Sequence, residues 1–274
     1  MLRWYGYVGI ALIAFAIANF SLVIQPFARW YIPIIWYGYI LLVDSLVQKV
    51  SGRSLISTYP KEFVFMAGIS VPFWLIFEVY NIFGGYWQYT NYTWHAHLAD
   101  FTTILPAVLV TYALFRALGA FRRFDTAAAK TTVRKSRAYL WPLVVLGAAA
   151  TVAPLLIPGI GAPFVWVGLF LLLDPLDYML GRASAIDIVG NGKTSFVLQL
   201  FAAGITMGFF WELWNNFAYS RWVYNIQIVS NIPKLFAMPL PGYLGYLPFA
   251  VVVFLFYALF RPLVFKKKNL VLGI

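Results

Sequence analysis

The chain has 274 residues, 62% of them hydrophobic and 11% charged, with a mean hydropathy of +0.80, which is far more apolar than a soluble domain. Its net charge of +11 comes from basic residues that cluster at the edges of long apolar runs, so it reads as membrane orientation and not as a nucleic-acid surface. The absence of Cys excludes disulfides, thiolate nucleophiles and Cys-ligated metals.

A hydrocarbon core about 30 Å thick takes roughly 20 helical residues to cross. Eight apolar runs of about that length are expected as spans, at 5–24, 28–50, 63–84, 101–118, 139–157, 163–181, 196–219 and 243–263. The fold class is therefore an all-α integral membrane protein with eight transmembrane helices. The first run is long enough to span, and no small-residue cleavage site follows it, so it reads as a helix and not a signal peptide. The second carries 36-WYGYILLVD-44, with Asp44 near its cytoplasmic end. The third carries 77-FEVYNIFGGYWQY-89, in which Glu78 and Asn81 share one helix face with Trp74. An outer loop with His95, His97 and Asp100 is expected next, followed by the fourth run, which ends in 112-YALFR-116. The polar stretch 116–137 is read as a basic cytoplasmic connector. Beyond it come 166-WVGLFLLLD-174, the pair Asp174 and Asp177, then Glu212 with Asn215. The Pro- and Gly-rich segment 233-PKLFAMPLPGYLGYLP-248 reads as a rigid re-entrant or interfacial loop before the last run, which ends in 257-YALFR-261.

These motifs occur twice. Trp36-x-Gly38-x5-Asp44 answers Trp166-x-Gly168-x5-Asp174, Glu78-x-x-Asn81 answers Glu212-x-x-Asn215, and 87-WQY-89 answers 222-WVY-224. Leu105-Pro106 and YALFR likewise have counterparts at Leu247-Pro248 and 257–261. The expected organisation is two parallel four-helix repeats, 1–118 and 139–274, joined by a linker at 119–138. With eight spans and the N-terminus inside, all of the 20 Lys and Arg residues except Arg29, Arg221 and Lys234 fall on one side. That bias predicts cytoplasmic termini in a multi-pass protein of the plasma membrane.

Of nine acidic residues, Asp44, Glu78, Asp174, Asp177 and Glu212 fall within the expected spans, with no Lys or Arg deep in any span to offset them. An intramembrane carboxyl costs at least about 2.5–3.5 kcal/mol to insert, which marks such residues as functional candidates. A desolvated carboxyl without a cation favours its neutral form, and a neutral buried acid is a proton donor. The candidate catalytic set is Glu78, Glu212, Asn81 and Asn215, each amide expected to donate to its neighbouring carboxyl. Trp74, Tyr80, Trp211 and Trp214 are candidate substrate-binding residues, since aromatic faces stabilise a cation by about 2 kcal/mol or more when desolvated. Asp44, Asp174 and Asp177 form a secondary acidic group. Asp44 lies within reach of water, Lys49 or Arg53. Trp87, Tyr89, Trp222 and Tyr224 fit an interfacial aromatic belt. No metal and no cofactor are expected.

An acid in a membrane helix, then a Trp-x-Tyr segment, then a Leu-Pro start to the next helix resembles the membrane-integral carotenoid enzymes, both the heterodimer-type lycopene cyclases and the carotenoid 1,2-hydratases. The residues that carry the resemblance are Glu78, Gly85, Trp87, Tyr89, Leu105 and Pro106, then Glu212, Trp222, Tyr224, Leu247 and Pro248. In those cyclases Leu-Pro leads into paired acids, whereas here it reads 105-LPAVL-109 and 247-LPFAV-251. The resemblance therefore implies an architecture and a lipid-phase isoprenoid substrate more than one reaction. The leading expectation is an enzyme of acid-initiated carbocation chemistry. A proton-coupled carrier using the same carboxyls and a non-catalytic membrane scaffold are the alternatives. Expected partners are membrane lipid and an apolar isoprenoid substrate, with a homo-oligomer left open and no nucleic acid.

Overall fold

The computed structural model describes residues 1–126, 137–157, 164–226 and 231–273. Within them the chain is mostly helical. In order come α1 (Trp4–Leu22), α2 (Tyr31–Ser51), α3 (Leu55–Thr58), α4 (Pro60–Gly84), α5 (Trp94–Phe101), α6 (Ile104–Ala117), α7 (Leu140–Leu156), α8 (Phe164–Met179), α9 (Ala185–Gly190), α10 (Thr194–Phe217) and α11 (Tyr246–Val264). Two short antiparallel strand pairs add to the all-α expectation. They are β1 (Trp87–Thr90) with β2 (Arg221–Tyr224), and β3 (Lys234–Leu235) with β4 (Met238–Pro239).

Among the described residues, six helical stretches are long and apolar enough to cross a membrane: Trp4–Leu22, Tyr31–Ser51, Pro60–Gly84, Trp94–Ala117, Thr194–Phe217 and Leu240–Val264. The chain has the character of a multi-pass membrane protein. The expected runs 139–157 and 163–181 form the shorter helices α7, of 17 residues, and α8, of 16. Residues 127–136, most of the expected linker, and the start of the sixth expected run lie outside the described residues. The fourth expected run begins earlier than residue 101. α5 and α6 meet at a break where the Thr102 and Thr103 hydroxyls turn back onto the carbonyls of Ala99 and Asp100, both at 2.6 Å. The residues expected in a loop, His95, His97 and Asp100, therefore sit on helix α5.

Helix positions follow from side-chain size. α1 exposes Val8, Ile10, Phe15, Ile17 and Phe20 and buries Gly6, Gly9 and Ala16, as suits a helix facing lipid with one small-residue seam. A Cβ on Gly9 would lie 2.7 Å from Leu42 N, and one on Gly38 would lie 3.1 Å from Ile13 N. At the corresponding places, a Cβ on Gly147 would lie 2.4 Å from Leu172 N and one on Gly168 would lie 2.6 Å from Thr151 N. Glycine thus lets α1 meet α2, and α7 meet α8, backbone to backbone. The centre belongs to α6 and α11, which are apolar all round and buried without interruption from Ile104 to Ala113 and from Phe249 to Ala258. α2, α4 and α10 pack on α6, while α8 and α10 pack on α11.

One end of the bundle holds both terminal segments. Arg3 N donates to Ser45 Oγ at 2.8 Å. Glu62 receives Arg261 through two bonds of 2.9 Å, together with Tyr257 at 2.8 Å and Asn269 at 2.9 Å, all buried. The opposite end carries β1 and β2, which join the segment after α4 to the segment after α10 with Trp87 facing Tyr224 and Tyr89 facing Trp222.

Candidate functional site

The acids fall into two layers with different surroundings. At the terminal end, Asp44 is fully buried and receives Ser54 Oγ at 2.5 Å, Tyr5 OH at 2.9 Å and Ile56 N at 3.2 Å. Asp174 receives Ala185 N at 2.6 Å and Ile186 N at 3.2 Å. Ser54 and Ser184 cap the short helices α3 and α9. Both aspartates therefore hold the chain reversal after a long helix by accepting its free N–H groups. Asp44 does not reach water, Lys49 or Arg53 as expected, because the backbone turns back before those side chains can meet it. Asp177 is fully buried, and neither of its oxygens has a partner among the described residues. No group of three or more His, Asp or Glu side chains is placed to hold a metal among the described residues.

At the β end, Glu78 and Glu212 occupy the last turns of α4 and α10. Glu78 Oε1 accepts from Trp74 Nε1 at 2.7 Å and from the Tyr89 hydroxyl. Glu212 Oε1 accepts from Tyr224 OH and Tyr246 OH, each at 2.7 Å. In both places the indole of the same Trp-x-Tyr segment donates to the tyrosine, Trp87 to Tyr89 and Trp222 to Tyr224, at 2.9 Å. Burial, and next the charge of the facing carboxyl, raise the phenols of Tyr89 and Tyr224 above their ordinary value, so both remain protonated donors. The Trp-x-Tyr segments are thus not simple interfacial anchors. They fold back as β1 and β2 and bring a phenol to each acid.

The two asparagines play a different part from the one expected. Asn81 Oδ1 accepts from Trp87 N at 2.9 Å, while Asn215 accepts from Trp222 N and donates to Trp222 O, both at 2.8 Å. They tie the end of each helix to the start of its strand and make no bond to the glutamates. An amide at i+3 satisfies the unpaired backbone of the following turn before it reaches a carboxyl.

Between these groups lies a cavity of about 140 Å³. Trp74, Trp87, Trp166, Trp211, Trp222 and Phe249 line it, with the hydroxyl-bearing Tyr89, Tyr224 and Tyr246. The indoles of Trp74 and Trp211 meet at 5.5 Å, and the ring of Phe77 stacks on Trp166 at 4.5 Å. Glu78 and Glu212 are not among the lining residues, but the tyrosines that donate to them are. The site is thus a set of phenols backed by carboxyls. Of the expected binding residues, Trp74 and Trp211 line the cavity. Tyr80 instead donates to Thr151 O at 3.0 Å and ties α4 to α7, while Trp214 packs against Trp36 at 4.5 Å and Phe210 at 5.1 Å.

Sequence reasoning set His97 and Asp100 in an outer loop apart from the site and missed Tyr92 and Thr103; the four form a polar corner of the same cavity. The signal was the spacing of His97, Asp100 and Phe101 at i, i+3 and i+4, a helical face read as loop. The Pro- and Gly-rich segment contributes Met238, Gly242 and Gly245 to the wall. No protein-family model matches the chain, and no curated protein and no solved structure is significantly similar to it.

Proposed function

We propose that the protein is a membrane-embedded enzyme that acts on an isoprenoid, carotenoid-like lipid by acid-initiated chemistry. Its architecture would be two parallel four-helix repeats, 1–118 and 139–274, with eight spans in the plasma membrane and both termini in the cytoplasm. The repeats are supported by matched local devices, among them Asp44 with Asp174, Asn81 with Asn215, and the paired glycine seams. The orientation is supported by the bias of basic residues.

The observation that carries the chemistry is the aromatic cavity bordered by carboxyl-backed phenols. With the carboxyl protonated, its O–H turns to the phenol oxygen and the phenol O–H turns to the cavity. The phenol proton then passes to one carbon of a substrate double bond, whose π pair forms the new C–H bond. The carboxyl proton replaces the one lost. The positive carbon left behind lies among indole faces and resolves by losing a proton to the carboxylate, by adding water or by ring closure. Expression in a host that makes linear polyenes should change its lipid profile, and Glu78→Gln and Glu212→Gln should abolish the change. An unchanged profile with the folded wild-type protein would refute the proposal.

A proton-coupled carrier is the second reading, favoured by one observation: Asp177, buried with neither oxygen hydrogen-bonded among the described residues, at the end opposite the glutamates. Proton flux in proteoliposomes that disappears in Asp177→Asn would support it.

A further inference from the structure

The polar corner of the cavity sits on one side only. Counting back from the two Leu-Pro pairs, Asp100 falls opposite Gly242, and both line the cavity. One half therefore contributes a carboxyl where the other contributes no side chain. Asp100 is only 9% exposed; Tyr92 donates to the carboxyl, yet its Oδ1 has no hydrogen-bond partner among the described residues, and the same holds for Nδ1 of neighbouring His97. The His97 ring is held in place by Tyr89 at 4.0 Å, Phe101 at 4.6 Å and Tyr92 at 4.7 Å, so its nitrogen cannot swing away to find water. A buried acceptor without a donor is costly, and a donor supplied by a ligand removes that cost.

Size narrows the ligand. A cavity of about 140 Å³ is close to the engineered apolar cavity of about 150 Å³ that takes up one benzene ring. It accommodates the end of a lipid and not its full length. The rest of the wall is mostly aromatic, with aliphatic Ile32, Ile104, Val165, Ile226 and Met238 between the rings, which suits a neutral, apolar group carrying a single donor. From the cavity's size, its aromatic wall and the unpartnered Oδ1 of Asp100 beside His97, we infer that the site receives one ring-sized, hydroxyl-bearing end of a lipid, whose O–H is donated to that oxygen. This deepens the enzyme reading and rests on it for the nature of the lipid: the substrate has an alcohol end and is not a pure hydrocarbon.

The test is a titration of the purified protein in detergent, followed by its tryptophan fluorescence. The probes are perillyl alcohol, limonene as the hydrocarbon of the same skeleton, and perillylamine. The alcohol should quench saturably and bind about three- to tenfold more tightly than limonene, the range expected for one hydrogen bond to a buried carboxyl. Asp100→Leu should remove that preference while leaving limonene binding in place. Equal affinities for alcohol and limonene, no saturable binding of either, or tighter binding of the amine would each overturn the inference. The ratio measured in the unchanged protein decides even if the variant fails to fold. Preference for the alcohol without any lipid conversion would uphold this inference and sink the enzyme reading. Conversion of a hydrocarbon without that preference would do the reverse.

Discussion

Glu78 and Glu212 stand at matching places in the two halves, yet each completes its shell in its own way. Both accept from the tyrosine of a Trp-x-Tyr segment. The second donor to Glu78 is Trp74, one turn back on the same helix, whereas the second donor to Glu212 is Tyr246, from the start of α11. The position matching Trp74 is Gly208, and a Cβ there would lie 2.2 Å from the Tyr246 ring. The position matching Tyr246 is Ile104, which brings no donor. A bulky donor on one helix is thus paired with a small or apolar residue on its neighbour, and the roles are reversed between the halves. The consequence for exposure is plain: Glu212 is fully buried, while Glu78 is half-buried.

The largest expected effect tests whether both acids are needed. Glu78→Gln and Glu212→Gln should each lower lipid conversion by about a hundredfold or more, the usual contribution of a general acid, as measured by product formation in membranes. Loss from only one variant would assign the chemistry to that half. Next comes the exchange itself. Gly208→Trp should overpack against Tyr246 and destabilise by about 1–3 kcal/mol or more, seen as a lower melting temperature in detergent. Adding Tyr246→Ile should restore much of the stability, because it installs the Trp and Ile pairing of the other half. Failure of the pair to do better than Gly208→Trp alone would break the comparison.

Smaller effects sharpen it. Asn215 makes two bonds to Trp222 and Asn81 makes one to Trp87, so Asn215→Ala should cost about 2 kcal/mol and Asn81→Ala about 1 kcal/mol. Trp74→Phe should cost least, about 0.5–1 kcal/mol, since the half-buried Glu78 can recruit water in place of the indole. Thermal unfolding followed by helical circular dichroism would rank these variants.

The membrane class was legible because twenty-residue apolar runs have few soluble explanations, and six of them form helices long enough to cross. Glu78 and Glu212 stood out because nothing nearby in sequence neutralises them. Their hydrogen-bond partners could not be foreseen. Tyr89 and Tyr224 lie 11 and 12 residues along the chain from their acids, beyond a reversal into β1 and β2 that helical spacing cannot foresee. Four strand residues from each half were hidden inside what read as a headgroup belt. Asp100 was overlooked for a related reason. Polar residues near a span end look like loop, whereas here they form helix α5, which sets that carboxyl at the cavity wall. The roles of Asp44 and Asp174 depended on short helices too small to register as periodic sequence.

The Glu62 cluster places a constraint on how the protein is made. Its acid stands at the start of α4, and its cation, amide and phenol all come from residues 257 to 269. During synthesis the acid leaves the ribosome nearly two hundred residues before Arg261. Throughout that interval it has to remain hydrated at the membrane edge, or be shielded by another protein. Closing the bundle around it therefore waits until residues 257–269 have been made and have entered the membrane.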